Sequence, residues 1–513
     1  MRKIYFITFL IITILFSGCG DTSSPENPNH IPVILSDTLN IDNNNSIEPT
    51  LYSDLDNDIV NFKIIGGDDQ DIFNIDSNTG QLSFKQTIDY LNPIDKDHNN
   101  IYLVTIQISD FKSSSTKTLR ITFPNTVLTI LNSLRKNSGM TTLKTNNYLN
   151  IAALNHANYL DNLNQAGHYE TNSSTTQTYF TGITPAERTW YAGYKTKYVI
   201  ENLSTGQQTP TLSLDGLMSA IYHRFGFLDF AIDEIGYGNS NNIYVYDMGN
   251  SYLNNLCDGD NFDGSGEYYY NVCKDTNFKI QKSLYDQEKD IIVDQNPPYV
   301  IYPYNTQQNV TPVFYNEIPD PLADYNVSGY PVSIEFNQND FNMSKFSLDT
   351  FVLENSNNEN IELIPQNDGS TFMDQNNDPN QRFTQYQFAI FPKERLNFNT
   401  IYKTKLTYTY DGNSYHKEFS FTTKALPNLI NVTTDTIALK LNTQYYLYFK
   451  PQNADDTIHT YSISYHYSGT NNVNIIYSYY DKNTIALKLS GSSLEDATIT
   501  LNNTKNITVN IIK

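Results

Sequence analysis

Tryptophan occurs once in this 513-residue chain, cysteine three times, and bases are outnumbered by acids, 33 against 55. A formal net charge of −22 repels phosphate backbones and excludes nucleic acid as a partner. No Cys is placed to act as a nucleophile, and no Ser sits in a nucleophile-elbow motif. The one long apolar run, Ile4 to Phe16, is too short to span a bilayer. What the chain has instead is Asn and Tyr, in the alternating patterns of exposed β surfaces. Its length implies several domains.

Arg2 and Lys3 precede that apolar run, which ends in "LFSGCGD". Charge, apolar run and small residues in this order predict a secretory signal. The string resembles the bacterial lipobox, which implies a signal peptide over 1–18, cleavage before Cys19 and lipid on Cys19. Phe16 stands where the lipobox prefers Leu. Gly20, rather than Asp, follows the cysteine, which points to the outer membrane. The expected localisation is therefore the bacterial cell envelope, lipid-anchored, with the membrane as one partner. Residues 19–31 read as a polar tether. Cys257 and Cys273 are an even pair in an exported chain and predict a disulfide, worth about 3 kcal/mol if unstrained.

Residues 32–123 alternate polar and apolar between turn signals, which predicts a β-sandwich. The strings "FNIDSNTGQL" and "NIYLVTIQISD" resemble bacterial cadherin-like repeats. That resemblance implies Ca²⁺ ligands at Asp54, Asp56, Asp95, Asp97 and Asp110. Clustered Asp oxygens suit a hard cation. Leu91 stands where relatives carry a Glu, so the implied site is weak.

From Asn125 the texture becomes helical. Leu149, Ala152, Ala153, His156, Ala157, Leu160 and Leu163 form one apolar stripe, in which His156 reads as packing; Gly167 reads as the stop. "N-x-x-R", "A-x-x-H-A-x-Y", "GH", "TPAER", "IEN", "YHR" and "IGYG" then follow in order. The ordered set resembles the CAP (SCP-like) superfamily, whose fold is an α-β-α sandwich. By that resemblance His168, Glu201 and His223 line a cavity. The second acid of the family has no clear match; its place falls near Ser219, with Asp215 or Glu170 as substitutes. A helix starting near Ser213 is expected to deliver His223, and Arg224 to pair with an acid beneath it. Two imidazoles and a carboxylate would serve as a Zn²⁺ site with an open position, or equally as a polar ligand pocket.

"CDGDNFDGSGEYYYNVC" reads as an acidic disulfide loop within a connection over 251–296. "LNFNTIY" and "FSFTT" resemble bacterial Ig-like modules, which implies a sandwich over 297–424. Residues 425–513 read as a small β domain. The CAP-like segment itself spans 125–250.

The leading expectation is a multidomain, membrane-anchored lipoprotein that binds an extracytoplasmic ligand or partner through its His/Glu cavity. One alternative is a metal-assisted hydrolase of peptide or cell-wall material; the missing nucleophile and the single secure acid lean against an enzyme. The other is a calcium-dependent adhesin.

Overall fold

The computed structural model describes residues 28–41, 45–123, 127–171, 178–259, 265–453, 455–459, 461–467, 473–491, 497–501 and 505–512. The expected signal peptide, Cys19 and most of the expected tether lie outside the described residues. Among the described residues no helix is long and apolar enough to cross a membrane. The chain divides into two compact units. One holds the chain up to Ile88 and again Ile94–Phe123; the other holds Asp89–Pro93 and everything beyond Phe123.

The first unit is built on a four-stranded sheet in the order Thr38–Asn40, Ser114–Thr122, Ile101–Ser109, Asn61–Gly66. Ile101–Ser109 alternates strictly: Tyr102, Val104, Ile106 and Ile108 are buried, and the residues between them are half-buried. The five expected calcium ligands do not come together. Asp110 follows the end of that nine-residue strand, whereas Asp95 and Asp97 precede its start, roughly 25–30 Å away. The carboxylates are engaged separately, although Asp54 Oδ2 is left without a hydrogen-bond partner among the described residues. Asp95 accepts from the Asn99 and Asn100 amides, and Asp97 from the Asn99 side chain. Asp54 accepts from the Asp56 amide at 2.8 Å, Asp56 pairs with His30, and Asp110 accepts from Asn29 and the Lys112 and Ser113 amides. Lys112 places its ammonium 3.0 Å from Asp58, beside the group that would have to take a cation.

The second unit opens with helix α1 (Val127–Asn137) and helix α2 (Asn147–Leu163). The Asn146 side chain caps α2 by accepting from the Tyr148 and Leu149 amides. The helix ends at Asn164, in the left-handed region at φ 49°, three residues before the glycine that the sequence suggested. Helix α3 (Pro185–Ala192) starts with a Thr184–Glu187 capping box and Pro185 in its first turn. Helices α4 (Pro210–Ser219) and α5 (Ile221–Phe227) are separate, because Ala220 between them is extended. His223 is thus carried by α5, and not by a helix begun at Ser213.

These helices enclose a sheet in the order Val199–Thr205, Ile243–Gly249, Glu234–Ser240, Lys144–Thr145. Ile243–Gly249 is buried at every position, the mark of a strand covered on both faces. Val245 packs with Ala153, Ala157 and Leu160 of α2; Tyr244, Tyr246 and Met248 pack with Leu131, Leu217 and Phe227 from α1, α4 and α5. The glycines of "IGYG" let α2 approach. A Cβ on Gly236 would lie 2.0 Å from the Leu149 carbonyl carbon, and one on Gly238 2.2 Å from the Leu154 nitrogen.

Beyond a Cys257–Cys273 disulfide (Cα–Cα 5.4 Å), a sandwich follows. One sheet orders Tyr299–Tyr302, Val332–Phe336, Gln387–Ile390; the other orders Gln307–Val310, Asn413–Thr423, Ile401–Tyr410, Phe346–Glu354. Its core is continuous with that of the helical part. One apolar cluster runs from Ile130, Leu134 and Phe227 through Tyr302 and Tyr330 to Ile334 and Phe388. The passage from helices to sandwich is therefore a change of secondary structure and not a break between cores. The last segment pairs two four-stranded sheets around a core of its own, Leu439, Leu447, Leu487 and Val509 among them.

Candidate functional site

The site forms where strand Val199–Thr205, helix α5 and the "GHYE" segment meet. The structure brings all three predicted side chains together. His168 Nδ1 lies 2.9 Å from Glu201 Oε1. The His168 and His223 rings face one another, with centroids 6.3 Å apart and planes inclined by 25°. His168 is the more open of the two, its side chain 35% exposed against 13% for His223.

A fourth residue was not legible in the sequence. His223 Nδ1 lies 2.9 Å from Glu317 Oε2, and Glu317 also accepts the Tyr222 amide at 3.2 Å. Glu317 belongs to the Pro-punctuated segment "YNEIPDP" of the following sandwich. None of the three suggested positions for the second acid fills this place. Glu170 sits elsewhere, 2.8 Å from His156 Nδ1. Ser219 bonds back to the Gly216 carbonyl, and Asp215 lies on α4, one turn before its end.

His156 is not simple packing. It is fully buried, bonded to Glu170 on one nitrogen and to the Gly167 carbonyl at 3.0 Å on the other. Arg224 finds no acid among the described residues. Its guanidinium donates to the carbonyls of Met218 and Tyr302 and to Ser333 Oγ, and it lies between the Tyr302 and Tyr330 rings, 5.0 Å from each centroid. The "HR" pair thus divides its work: His223 turns to the site, and Arg224 rivets α5 to the sandwich.

Behind the site lies a buried polar layer. Arg188, from "TPAER", is fully buried and reaches Glu201 Oε2 at 2.5 Å and the His168 carbonyl at 3.1 Å. Asp247 stands opposite Glu201 in the antiparallel ladder, fully buried. Neither Asp247 oxygen has a hydrogen-bond partner among the described residues. Burial holds the Asp247 carboxyl well above its ordinary range, and the Glu201 charge adds to this. Burial also opposes the Glu201 charge, but the His168 hydrogen bond, Arg188 and the imidazoles outweigh it and hold Glu201 below the usual carboxylate range. The two acids are pushed apart in the sense that leaves Glu201 ionised and Asp247 protonated, able to donate to it.

Glu201 therefore has both oxygens engaged, one by His168 and one by Arg188. It orients His168 and is held in the buried layer by Arg188, so it is not free to turn towards a metal between the imidazoles. What remains is two imidazole Nε2 atoms, short of the three protein ligands of a zinc site with an open position. Among the described residues no group of three His, Cys, Asp or Glu side chains could hold a metal ion. The donor set does not fit Zn²⁺.

Residues 128–249 match the sequence profile of the CAP family, the cysteine-rich secretory protein family. This segment is a CAP domain, set in a multidomain chain with many β-sheet regions. Among solved structures the chain is similar to an extracellular SCP-domain protein of Bacillus anthracis, at 14% identity and a TM-score of 0.22, over 30% of this chain and 61% of that one. The chain thus spans less than two thirds of that protein's length. It is also similar to an outer surface protein of Borrelia burgdorferi (19% identity, 24% of this chain, 89% of that one, TM-score 0.21). The human desmocollin-1 ectodomain aligns over 94% of this chain and 79% of its own, at 10% identity and a TM-score of 0.17. No curated protein matches.

Proposed function

We propose that the chain is a lipid-anchored protein of the bacterial cell envelope whose CAP domain holds a hydrogen-bonding ligand between His168 and His223. The observation that carries this reading is the pair of facing imidazoles, each backed at Nδ1 by a carboxylate. A carboxylate accepts, so each Nδ1 carries the hydrogen and each Nε2 presents a lone pair. Neither Nε2 has a partner among the described residues. Two acceptors side by side suit a ligand that donates, through hydroxyl, amide or ammonium hydrogens. Anchoring rests on the basic flank, the apolar run and "LFSGCGD", and the residue after Cys19 favours the outer membrane.

Ligand-observed NMR of a fragment library against the full chain tests the site. Hydroxyl- and amide-bearing fragments that bind wild type should lose binding in both His168→Ala and His223→Ala. Fragments that bind all three proteins equally would refute the reading.

A second reading, hydrolysis, is favoured by one feature. The Glu201–His168 pair has the geometry of a general base oriented by a carboxylate. Turnover of peptide or cell-wall substrates that vanishes in His168→Ala would establish it.

A further inference from the structure

A second cavity opens on another part of the same unit, with a volume of about 650 Å³. It falls within the range of small-molecule sites. Its floor carries two acids. Asp229 follows α5, and Glu335 lies on strand Val332–Phe336. Glu335 is 8% exposed; its Oε1 accepts from Gln387 Nε2 at 2.9 Å, while its Oε2 has no hydrogen-bond partner among the described residues. A buried acceptor left without a donor is destabilising by about 1–3 kcal/mol. Its persistence on a cavity wall calls for an explanation from outside the chain.

The rest of the lining narrows the answer. Lys289 and Arg382 share the lining with the two acids, and neutral amides outnumber these four ionisable groups. The walls are rich in amides: Gln338, Gln375, Gln381, Gln385 and Gln387. Each amide both donates and accepts. Burial raises Glu335 well above its ordinary range and the nearby Asp229 charge adds to it, so the Glu335 carboxyl both donates and accepts, while Asp229 accepts from the Ala231 amide and the Tyr198 hydroxyl. The group that complements such a lining is the hydroxyl, itself donor and acceptor. Tyr198 and Tyr386 supply rings for an apolar face.

We propose that this cavity is a binding site for an uncharged saccharide of about three residues, separate from the His168–His223 site. The test uses the full chain with three soluble probes: maltotriose, cellotriose and the N-acetylglucosamine trimer. Calorimetry should show millimolar or tighter binding of at least one. Hydrogen exchange should slow at residues 381–387 and 229–231 when that probe is added. Two variants should each weaken binding about tenfold, equivalent to roughly 1.4 kcal/mol. Glu335→Leu removes the floor carboxyl. The double variant Gln381→Ala/Gln385→Ala removes exposed amides at the rim and leaves the core intact. No binding of any probe, protection confined to the surroundings of His168 and His223, or wild-type affinity in the rim variant would overturn the proposal.

Discussion

His223 Nδ1 and Glu317 Oε2 are 2.9 Å apart in space and 94 residues apart in sequence. The imidazole belongs to the CAP domain and the carboxylate to the sandwich that follows it. A site that looks local in sequence is thus completed by another fold, which has consequences that can be measured.

Glu317→Ala should disable the site about as much as His223→Ala. It removes the acceptor for both His223 Nδ1 and the Tyr222 amide. Two part-buried donors then lack that partner, and unfolding free energy should drop by about 1 kcal/mol or more. Glu317→Gln retains one acceptor oxygen and should recover part of both losses. Urea denaturation gives the first quantity, and the line width of the His223 ring resonance reports whether the imidazole is still held. A Glu317→Ala protein with a sharp, unshifted His223 signal would show that the contact is incidental.

The CAP segment should not fold on its own. Cutting the chain after residue 250 strips Arg224 of the Tyr302 carbonyl, the Ser333 hydroxyl and both flanking rings. It also halves a continuous apolar cluster. A buried guanidinium without its acceptors is strongly destabilising. Residues 125–250 are expected to show no cooperative calorimetric transition, whereas 125–424 should melt in one. A sharp transition in the shorter piece would refute this.

Local chemistry was legible where it is written locally. The apolar stripe of α2 could be read because it depends on the spacing of residues within one helix, whereas the end of that helix at Asn164 falls three residues before the expected stop at Gly167. His168, Glu201 and His223 could be named because their motifs occur in order. Glu317 could not, since "YNEIPDP" carries no periodicity and no motif, and its role depends on where a later domain docks. Arg224 misled for the same reason. An arginine predicts an acid partner from charge alone, yet here two carbonyls, a hydroxyl and two aromatic faces take the place of one. The five aspartates were named from the cadherin-like resemblance, and how they are spread over the fold was not written in it: a nine-residue strand separates Asp95 and Asp97 from Asp110.

Cys19→Ala should release the protein from membranes into the soluble fraction. The variant has no thiol at the cleavage point to acylate, and no other run in the sequence is long enough to hold it in a bilayer. Fractionation with detergent-phase partitioning measures this. Unchanged membrane association would mean that the anchor lies elsewhere.

Asp247→Asn should stabilise the protein at neutral pH, and the gain should disappear in acid. The Asp247 carboxyl is fully buried with no donor at either oxygen, and faces the ionised Glu201 across the ladder. Burial, then the Glu201 charge, raise its folded value above that of an unfolded Asp, about 3.9. The folded state therefore binds a proton that the unfolded state has already released. Wild-type stability from this group is fully present below about pH 3.9 and falls as pH rises towards the raised value, by about 1.4 kcal/mol per pH unit. Asn keeps the shape and can donate an amide hydrogen to Glu201, but it has no proton to lose. The stability gap between variant and wild type should open from about pH 4 upwards and level off where Asp247 ionises in the folded state. Urea melts across pH 3 to 8 would trace it. A gap that stays constant with pH, or a variant less stable throughout, would show that Asp247 is ionised in the native protein and that the shared-proton account of Glu201 is wrong.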